Sequence, residues 1–252
     1  MLTKYQKKKI FVYIVNLKKD KKRKKHILYE LKKQNIKNYK IVEAVNGYNF
    51  KFKELKSKTY TDKKGFNKWN IGMSPGQIGC ALSHLKIYKI FLKSNYDIAL
   101  ILEDDAVFKK NLSNFLLNLI SKNFGNYKQI TLLSELKQFY IKPIDKYKNY
   151  ELVNVTNAFF THAYFINKEA AKSIISFNYP VKTIADNFIF FKIYCGVKIT
   201  GLNPFLVYQD YKNQKINIRT EVKNDKKNKK KKIFLIKFKL YKYKIKILKF
   251  FN

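Results

Sequence analysis

The segment at residues 97–108, DIALILEDDAVF, is an almost wholly apolar run that stops at three consecutive acids. An apolar run of this length, bounded by polar turns, is typical of a strand buried on both faces of a sheet. Glu103, Asp104 and Asp105 then lie at the carboxyl end of that strand. Open α/β sheets bind ligands just outside these carboxyl ends, where the loops diverge. The segment therefore predicts a buried sheet with a ligand crevice beside the acids.

The acidic triplet itself indicates a cation site. Three adjacent carboxylates repel one another, and a bound divalent cation would turn that repulsion into coordination. Oxygen ligands suit manganese or magnesium, which complete their shells with substrate phosphates and water. The alternative is a solvated acidic turn or a helix cap. Acidic triplets are common in loops, so on the triplet alone that alternative is favoured.

The N-terminal half of the chain has the pattern of a β-α-β unit. A β-branched and aromatic run at 10–17 predicts a strand, 18–34 a helix, and 39–45 a second strand. Parallel βαβ architecture is therefore the leading fold, an α/β class. The polar stretch at 48–71 is interpreted as a mobile loop that could close over a substrate. Ser74, a good cap, and Pro75, suited to a first turn, predict a helix from about Pro75 to Lys93.

The C-terminal half predicts a helix near 112–121, strands near 129–133 and 158–166, and a helix near 168–177. A lysine, asparagine and aspartate linker at 223–232 leads to a basic, apolar tail at 233–252. We therefore divide the chain into a catalytic domain at 1–222 and an appendage at 223–252. The tail's pattern fits neither a helix nor a strand uniquely. Either form could lie on an anionic membrane surface, or the tail could pack on the body.

The net charge of +37 attracts polyanions but does not identify them. Nearly all of it is lysine, with Arg23 and Arg219 the sole arginines, and a genome rich in A and T produces that composition without selection for binding. A basic nucleic-acid-binding protein is the main alternative from another class. No zinc-finger, RNA-recognition or leucine-zipper pattern supports it, so no specific nucleic acid is expected.

Cysteine usage and the N-terminus predict a cytoplasmic protein. Cys80 and Cys195 lack metal-site spacing, which favours a reducing compartment. The short apolar run near the N-terminus meets a basic cluster instead of a cleavage site, so we interpret it as a strand. No stretch reaches the roughly 20 apolar residues of a spanning helix. We expect the protein at the inner face of the cytoplasmic membrane, held peripherally by its tail.

Several strings resemble glycosyltransferase family 25, which includes bacterial lipopolysaccharide-type galactosyltransferases. The first are IGCALSHLKIYK at 78–89 and IALILEDDAVF at 98–108. Others are VYIVNLKKDKKR at 12–23, EAVNG at 43–47, NAFFTHAYFINKEAA at 157–171 and TIADNF at 183–188. The resemblance covers residues 10–210, most strongly in the first half.

This resemblance implies a GT-A-like nucleotide-sugar-binding fold with a mostly parallel sheet, and transfer with inversion at the anomeric carbon. It implies a UDP-sugar donor, galactose being the first choice, and a glycolipid or oligosaccharide acceptor such as lipooligosaccharide. Glu103 and Asp105 correspond to metal ligands, and Asp104 to a donor contact. Because the cluster is Glu-Asp-Asp instead of Asp-x-Asp, the division of labour among the three is open. A catalytically inactive, membrane-associated relative is a further alternative, against which the intact acids argue.

Further residues take roles from the matching strings. Asn16, Leu17 and Arg23 fall in the opening motif and are assigned to the nucleotide, with Arg23 a partner for phosphate or else a solvated helix residue. Ser83 and His84 are expected to contact the donor, or to lie in the core.

Inverting transfer requires a base for the acceptor hydroxyl, and Asp186 is the candidate. Asp186 could equally cap the helix that follows it. His162 is a second candidate base on residue type alone.

Overall fold

The computed structural model describes residues 9–59, 73–110, 112 and 114–209. These residues form eleven strands and six α-helices. In chain order they are β1 (Ile10–Asn16), α1 (Lys21–Lys33), β2 (Tyr39–Glu43), α2 (Phe52–Lys58), α3 (Pro75–Leu92), β3 (Ile98–Glu103), β4 (Ala106–Phe108), α4 (Asn114–Lys122), β5 (Gln129–Leu132), β6 (Leu136–Phe139), β7 (Asp145–Tyr147), β8 (Tyr150–Ala158), β9 (Ala163–Asn167), α5 (Lys168–Asn178), α6 (Phe188–Cys195), β10 (Lys198–Asn203) and β11 (Val207–Gln209).

A central sheet of nine strands has the order β2-β1-β3-β9-β5-β10-β8-β6, with β7 also paired to β8. Strand β1 is parallel to β2 and β3, and β5 is parallel to β10. Strand β9 lies antiparallel between β3 and β5, and β8 is antiparallel to its neighbours. Seven of the nine strands therefore run in one direction, with β8 and β9 opposed. The expected α/β architecture with a mostly parallel central sheet is confirmed.

Strand β3 lies inside this sheet and is buried on both faces, as its apolar sequence indicates. Ala99 and Ile101 belong to a core shared with α3, α5 and α6. Ile98, Leu100 and Leu102 belong to a second core shared with α1 and α4. The helices thus cover both faces of the sheet, and the carboxyl end of β3 is held rigidly between two packed layers.

Helix α3 begins where the sequence predicts. Ser74 Oγ accepts from the Gln77 N–H, and the Gln77 side chain accepts from the Ser74 N–H, which makes a capping box. Behind this start, the helix passes very close to the loop after β2. A Cβ on Gly79 would lie 2.5 Å from the Val45 carbonyl oxygen, and one on Gly47 would lie 1.6 Å from the Pro75 carbonyl oxygen. The two glycines therefore let backbone pack on backbone.

Two sequence-based predictions need correction, whereas the buried strand that ends at the acids is confirmed as β3. Beyond it, Asp104 and Asp105 turn the chain, and β4 pairs with β11 in a separate ribbon. The loop expected at 48–71 contains helix α2 over Phe52–Lys58, and residues 60–72 lie outside the described residues. The strand expected at 158–166 is divided, since β8 ends at Ala158 and β9 begins at Ala163.

The predicted linker and tail at 223–252 lie outside the described residues, as does the domain boundary at 222. Among the helices that the structure describes, none has the length and apolar character needed to cross a membrane.

Candidate active site

The acids lie where the carboxyl ends of two parallel strands meet. Glu103 is the last residue of β3 and pairs in register with Val15 of β1. Asp104 and Asp105 form the turn that follows and are 6% and 9% exposed. Because β1 runs parallel to β3, Asn16 reaches the same edge of the sheet. The position of the acids at the carboxyl end of the strand, expected from the sequence, is confirmed.

Asp104 is held by protein groups through both of its oxygens. Asn16 Nδ2 donates to Asp104 Oδ2 over 2.7 Å, and Arg23 Nη2 lies 2.5 Å from Asp104 Oδ1. The same guanidinium nitrogen lies 2.5 Å from Asp105 Oδ2. Helix α1 supplies Arg23 from its first turn, and Leu17 closes the preceding bend by accepting from the Asp20 N–H. Arg23 therefore screens the repulsion between two neighbouring aspartates.

Burial nevertheless raises the pKa of Asp104 to about 7. The positive charge of Arg23 and the hydrogen bond from Asn16 oppose this rise, whereas the charges of Asp105 and Glu103 add to it. Desolvation and the neighbouring negative charges together raise the pKa of Asp104 more than the guanidinium of Arg23 lowers it. Without a cation, the cluster holds a proton near neutral pH.

Glu103 behaves in the opposite way. Burial alone would raise its pKa, but the hydrogen bond and charge of His84, the charge of His162 and the Thr161 hydroxyl lower it to about 2. His84 Nε2 lies 3.3 Å from Glu103 Oε1, and Thr161 Oγ1 donates to the same oxygen. The Glu103 backbone N–H donates to the His162 carbonyl over 2.9 Å. Glu103 is thus a fixed carboxylate that stays ionised.

A buried chain of hydrogen bonds lies behind Glu103. His84 Nδ1 lies 2.7 Å from the Tyr164 hydroxyl, which lies 2.7 Å from the Tyr88 hydroxyl. A carboxylate only accepts, so His84 Nε2 donates to Glu103. Both nitrogens of His84 are therefore engaged within the protein.

Ser83, the neighbour of His84, supports the loop after β2. Its hydroxyl donates to the Gly79 carbonyl over 2.7 Å and accepts from the Val45 N–H over 2.8 Å. It is 2% exposed. The donor contacts assigned to Ser83, His84 and Leu17 stay predictions, since the contacts observed here are within the protein.

Three side chains at the crevice can act together as ligands of a cation. Glu103, Asp105 and His162 each offer one ligand atom, and these atoms lie within 4.8 Å of one another. Among the described residues, the buried atoms Asp105 Oδ1 and His162 Nδ1 have no hydrogen-bond partner. Unpaired buried polar atoms are costly, and a divalent cation would satisfy both. These residues therefore fit a divalent cation.

A second group, Cys80, His84 and Glu103, also lies within 4.8 Å. It fits less well, because both His84 nitrogens are already paired and burial raises the pKa of the Cys80 thiol well above its ordinary value. The thiolate is the form that binds metal.

Asp186 lies in the turn before α6, close enough to Glu103 for that charge to act on it. Its Oδ2 accepts from the Phe160 N–H over 3.3 Å. Burial raises its pKa, the Phe160 hydrogen bond opposes the rise, and the charge of Glu103 adds to it. Asn187, not Asp186, occupies the N-cap position of α6. The capping alternative for Asp186 is therefore wrong.

The loop between β8 and β9 connects Asp186 to the acids and was largely missed from sequence. Phe160 donates to Asp186, Thr161 donates to Glu103, and the Phe160 ring stacks on His162 at 5.1 Å. Phe160 has φ 80°, a conformation that is strained for any residue with a side chain. The signal available was the string at 157–171, from which only His162 was singled out.

Gln209 is a further site residue that sequence reasoning missed. Strand β11 pairs with β4, with Gln209 opposite Ala106, and Gln209 Nε2 donates to Asp105 Oδ2 over 2.5 Å. Gln209 and Arg23 both contact Asp105 Oδ2, whereas Asp105 Oδ1 has no hydrogen-bond partner. No local pattern marks a lone glutamine 104 positions from its partner.

The fold and the site define an α/β protein with a candidate divalent-cation centre at the carboxyl edge of its sheet. Residues 9–189 match the family model described as glycosyltransferase family 25 (LPS biosynthesis protein). The chain belongs to this family. Membership agrees with the GT-A-like architecture expected from the sequence and favours a transferase over the nucleic-acid-binding alternative.

Two proteins of similar sequence are named as glycosyltransferases, in agreement with the family assignment. Human procollagen galactosyltransferase 2 is 29% identical over 176 residues, 66% of this chain and 27% of that protein. A candidate glycosyltransferase of Haemophilus influenzae is 27% identical over 206 residues, 79% of this chain and 70% of that protein. This chain thus spans only about a quarter of the human relative's length. The crystal structure of A197 from STIV matches 80% of this chain and 85% of its own, with 13% identity and a TM-score of 0.42.

Proposed function

We propose that this glycosyltransferase moves a sugar, galactose as first choice, from a UDP-sugar to a saccharide acceptor of a surface glycolipid such as lipooligosaccharide, with inversion at the anomeric carbon. The observation that carries the proposal is the juxtaposition of Glu103, Asp105 and His162 with Asp186. One group of residues can hold a cation, and the other can take a proton. The family description and the galactosyltransferase name of the human relative support the substrate classes.

Glu103, Asp105 and His162 would hold manganese or magnesium. The cation would neutralise the donor's diphosphate and the charge that develops on the leaving nucleotide. Arg23 and Asn16 fix the two aspartates, so the carboxylates need not reorganise when the donor binds. The buried pairs His84–Tyr164 and Tyr164–Tyr88 orient Glu103 from behind.

Asp186 acts as the base. As the acceptor oxygen attacks the anomeric carbon, its proton passes to the Asp186 carboxylate, the bond to the diphosphate breaks, and the nucleoside diphosphate leaves. The raised pKa makes Asp186 a better proton acceptor than an exposed aspartate. His162 is the second candidate for this role, but His162 is also one of the three candidate metal ligands.

A donor screen tests the proposal. The full chain is incubated with UDP-galactose, UDP-glucose, UDP-N-acetylglucosamine and CMP- and GDP-sugars, and released nucleotide is measured with manganese, with magnesium and with EDTA. We expect release from one UDP-sugar that EDTA abolishes. Release from a CMP-sugar alone, or release indifferent to EDTA, would contradict the donor and metal assignments.

For localisation, we propose peripheral binding to an anionic membrane through residues 233–252. The support is the tail's sequence, IFLIKFKLYKYKIKILKFFN, which joins lysines to large apolar side chains. Each basic residue near an anionic surface contributes on the order of 1 kcal/mol. Deletion of residues 223–252 should abolish sedimentation with phosphatidylglycerol vesicles while soluble-donor hydrolysis is retained. Equal sedimentation of both proteins would refute the proposal.

A further inference from the structure

A groove of about 370 Å³ lies along the C-terminal half of α3, and none of its described lining residues belongs to the acidic cluster. Leu82, Leu85 and Ile90 of α3 form an apolar floor, and Phe50 and Tyr179 from other segments complete the walls. The volume is within the range of small-ligand pockets.

Lysines border this floor. Lys58, Lys86, Lys89 and Lys93 all line the groove, and none of its described lining residues is acidic. Like charges around one groove repel one another, and an anion would relieve that repulsion. Because lysine is abundant throughout this chain, the number of lysines around the groove does not by itself indicate an anion site.

The placement of the ammonium groups is more informative. Lys89 Nζ lies 4.3 Å from the centre of the Tyr179 ring, and Lys58 Nζ lies 5.1 Å from the centre of the Phe50 ring. Cation–π contacts of this kind hold the charges against the groove walls. Lys86 Nζ donates to the Glu43 carbonyl over 2.9 Å, which fixes a third charge near the end of β2. The groove therefore combines an apolar floor with positioned cations.

One end of the groove lies near the acidic site. Val45 lines the groove, and the adjacent Ala44 N–H donates to the carbonyl of Asn16 over 2.9 Å. The side chain of Asn16 holds Asp104. From Leu82 to Lys93, the helix then extends about 16 Å away from that edge. A molecule lying in the groove would thus have one end beside the carboxyl ends of β1 and β2.

We propose that this α3 groove binds the phosphorylated lipid part of the glycolipid acceptor, with an apolar chain on the floor and a phosphate among the lysines. The inference rests on the proposed function for the identity of the acceptor. The binding chemistry, an anion joined to an apolar chain, follows from the groove itself.

Isothermal titration of the full chain with dodecyl phosphate below its micellar concentration tests this chemistry. Inorganic phosphate and dodecyl maltoside serve as the two half-ligands, and we expect each to bind at least about tenfold more weakly. If inorganic phosphate binds as tightly as dodecyl phosphate, the apolar floor does not contribute to binding. If dodecyl maltoside binds as tightly as dodecyl phosphate, the lysines do not contribute. Either result overturns the proposal.

Two matched variants locate the site. Lys89→Gln/Lys93→Gln should weaken dodecyl phosphate binding on the order of tenfold, since two cations near the phosphate are lost. Lys40→Gln/Lys172→Gln removes the same charge from exposed positions outside the groove and should leave binding within about twofold. Equal losses in both variants would mean non-specific attraction to a basic protein and would refute the groove.

Acceptor kinetics distinguish an acceptor lipid from bulk membrane. Lys89→Gln/Lys93→Gln should raise KM for lipooligosaccharide but not for the oligosaccharide released from it by mild acid. If both KM values are unchanged while binding to phosphatidylglycerol vesicles is lost, the occupant is membrane phospholipid and the proposal fails. Absence of any sugar transfer by the wild type would refute the proposed function, whereas the dodecyl phosphate titration would still decide the groove's chemistry.

Discussion

The Nδ2 atom of Asn16 lies 2.7 Å from Oδ2 of Asp104, although 88 positions separate the two residues. The contact exists because β1 and β3 are parallel neighbours that end at the same edge of the sheet. The last residue of β1 thus meets the first residue after β3. Around this pair and Arg23, the buried atoms Asp105 Oδ1, His162 Nδ1 and Arg23 Nε have no hydrogen-bond partner.

Asp105→Asn should leave the fold intact and lower metal-dependent transfer about 10²-fold or more, because the substitution keeps size but removes the charge that holds the cation. Manganese binding, measured by electron paramagnetic resonance, should weaken in parallel, and the circular dichroism spectrum should not change. Glu135→Gln, in an exposed ion pair with Lys137, is the matched control and should have wild-type activity. Undiminished transfer by Asp105→Asn at limiting manganese would refute the assignment.

Asp104→Asn should make unfolding stability less sensitive to pH. With a folded-state pKa of about 7 and an unfolded value near 3.8, the folded state keeps a proton that the unfolded state has lost. Asp104 therefore contributes stability that is fully present below about pH 4 and is lost as pH rises to about 7, by roughly 4 kcal/mol in total. The amide side chain of the Asp104→Asn variant does not titrate, so this loss of stability with rising pH disappears. Its oxygen can still accept a hydrogen bond from Asn16.

Urea unfolding in EDTA at pH 4, 5.5, 7 and 8.5 measures the effect on both proteins. The variant's stability relative to the wild type should rise between pH 4 and 7 and level off above. Glu103, whose pKa is lowered to about 2, stays ionised over this pH range in both proteins and adds little to the difference. A difference that is flat with pH would contradict the raised pKa.

The local parts of this structure follow from the sequence. Ser74, Pro75 and Gln77 mark the start of α3 within four residues, and the acids mark the end of β3, because both signals lie in adjacent positions. Helix α6 could not be identified in this way. Its sequence, FIFFKIYC, is rich in residues that favour strands, and the helix forms where Phe188 and Phe191 pack into the core and Gly196 ends it at φ 65°.

The residues of the site likewise fall into those that local sequence patterns identify and those that only tertiary contacts reveal. Glu103, Asp104 and Asp105 were identifiable as neighbours in one motif. Thr161 and Gln209 reach the acids from positions 58 and 104 residues away, through strand pairings that no local pattern encodes. The role of Arg23 also depends on such a contact, since only the structure places it between two aspartates.

Asp186→Asn should lower kcat by about 10² to 10⁴ while the donor KM stays close to the wild-type value, since an amide cannot accept the acceptor's proton. The Phe160 N–H can still donate to the amide oxygen, so the loop should keep its position. Asn187→Ala changes the adjacent N-cap residue and serves as the control for the turn. Wild-type turnover in Asp186→Asn would exclude this residue as the base and leave His162 as the candidate.

The strained residue Phe160 offers the last test. At φ 80° a side chain costs on the order of 1 kcal/mol or more, and glycine does not bear this cost. Phe160→Gly should therefore be more stable to urea than Phe160→Ala by roughly 1 kcal/mol, the reverse of their order in an ordinary loop.

Both variants lose the ring that stacks on His162 but keep the N–H that donates to Asp186. If the ring positions His162, manganese should bind more weakly to both, and the more stable glycine variant should not recover affinity. If Phe160→Ala proves the more stable of the two, the backbone strain at this position is refuted; manganese affinity equal to wild type in both would show that the stacked ring does not position a ligand.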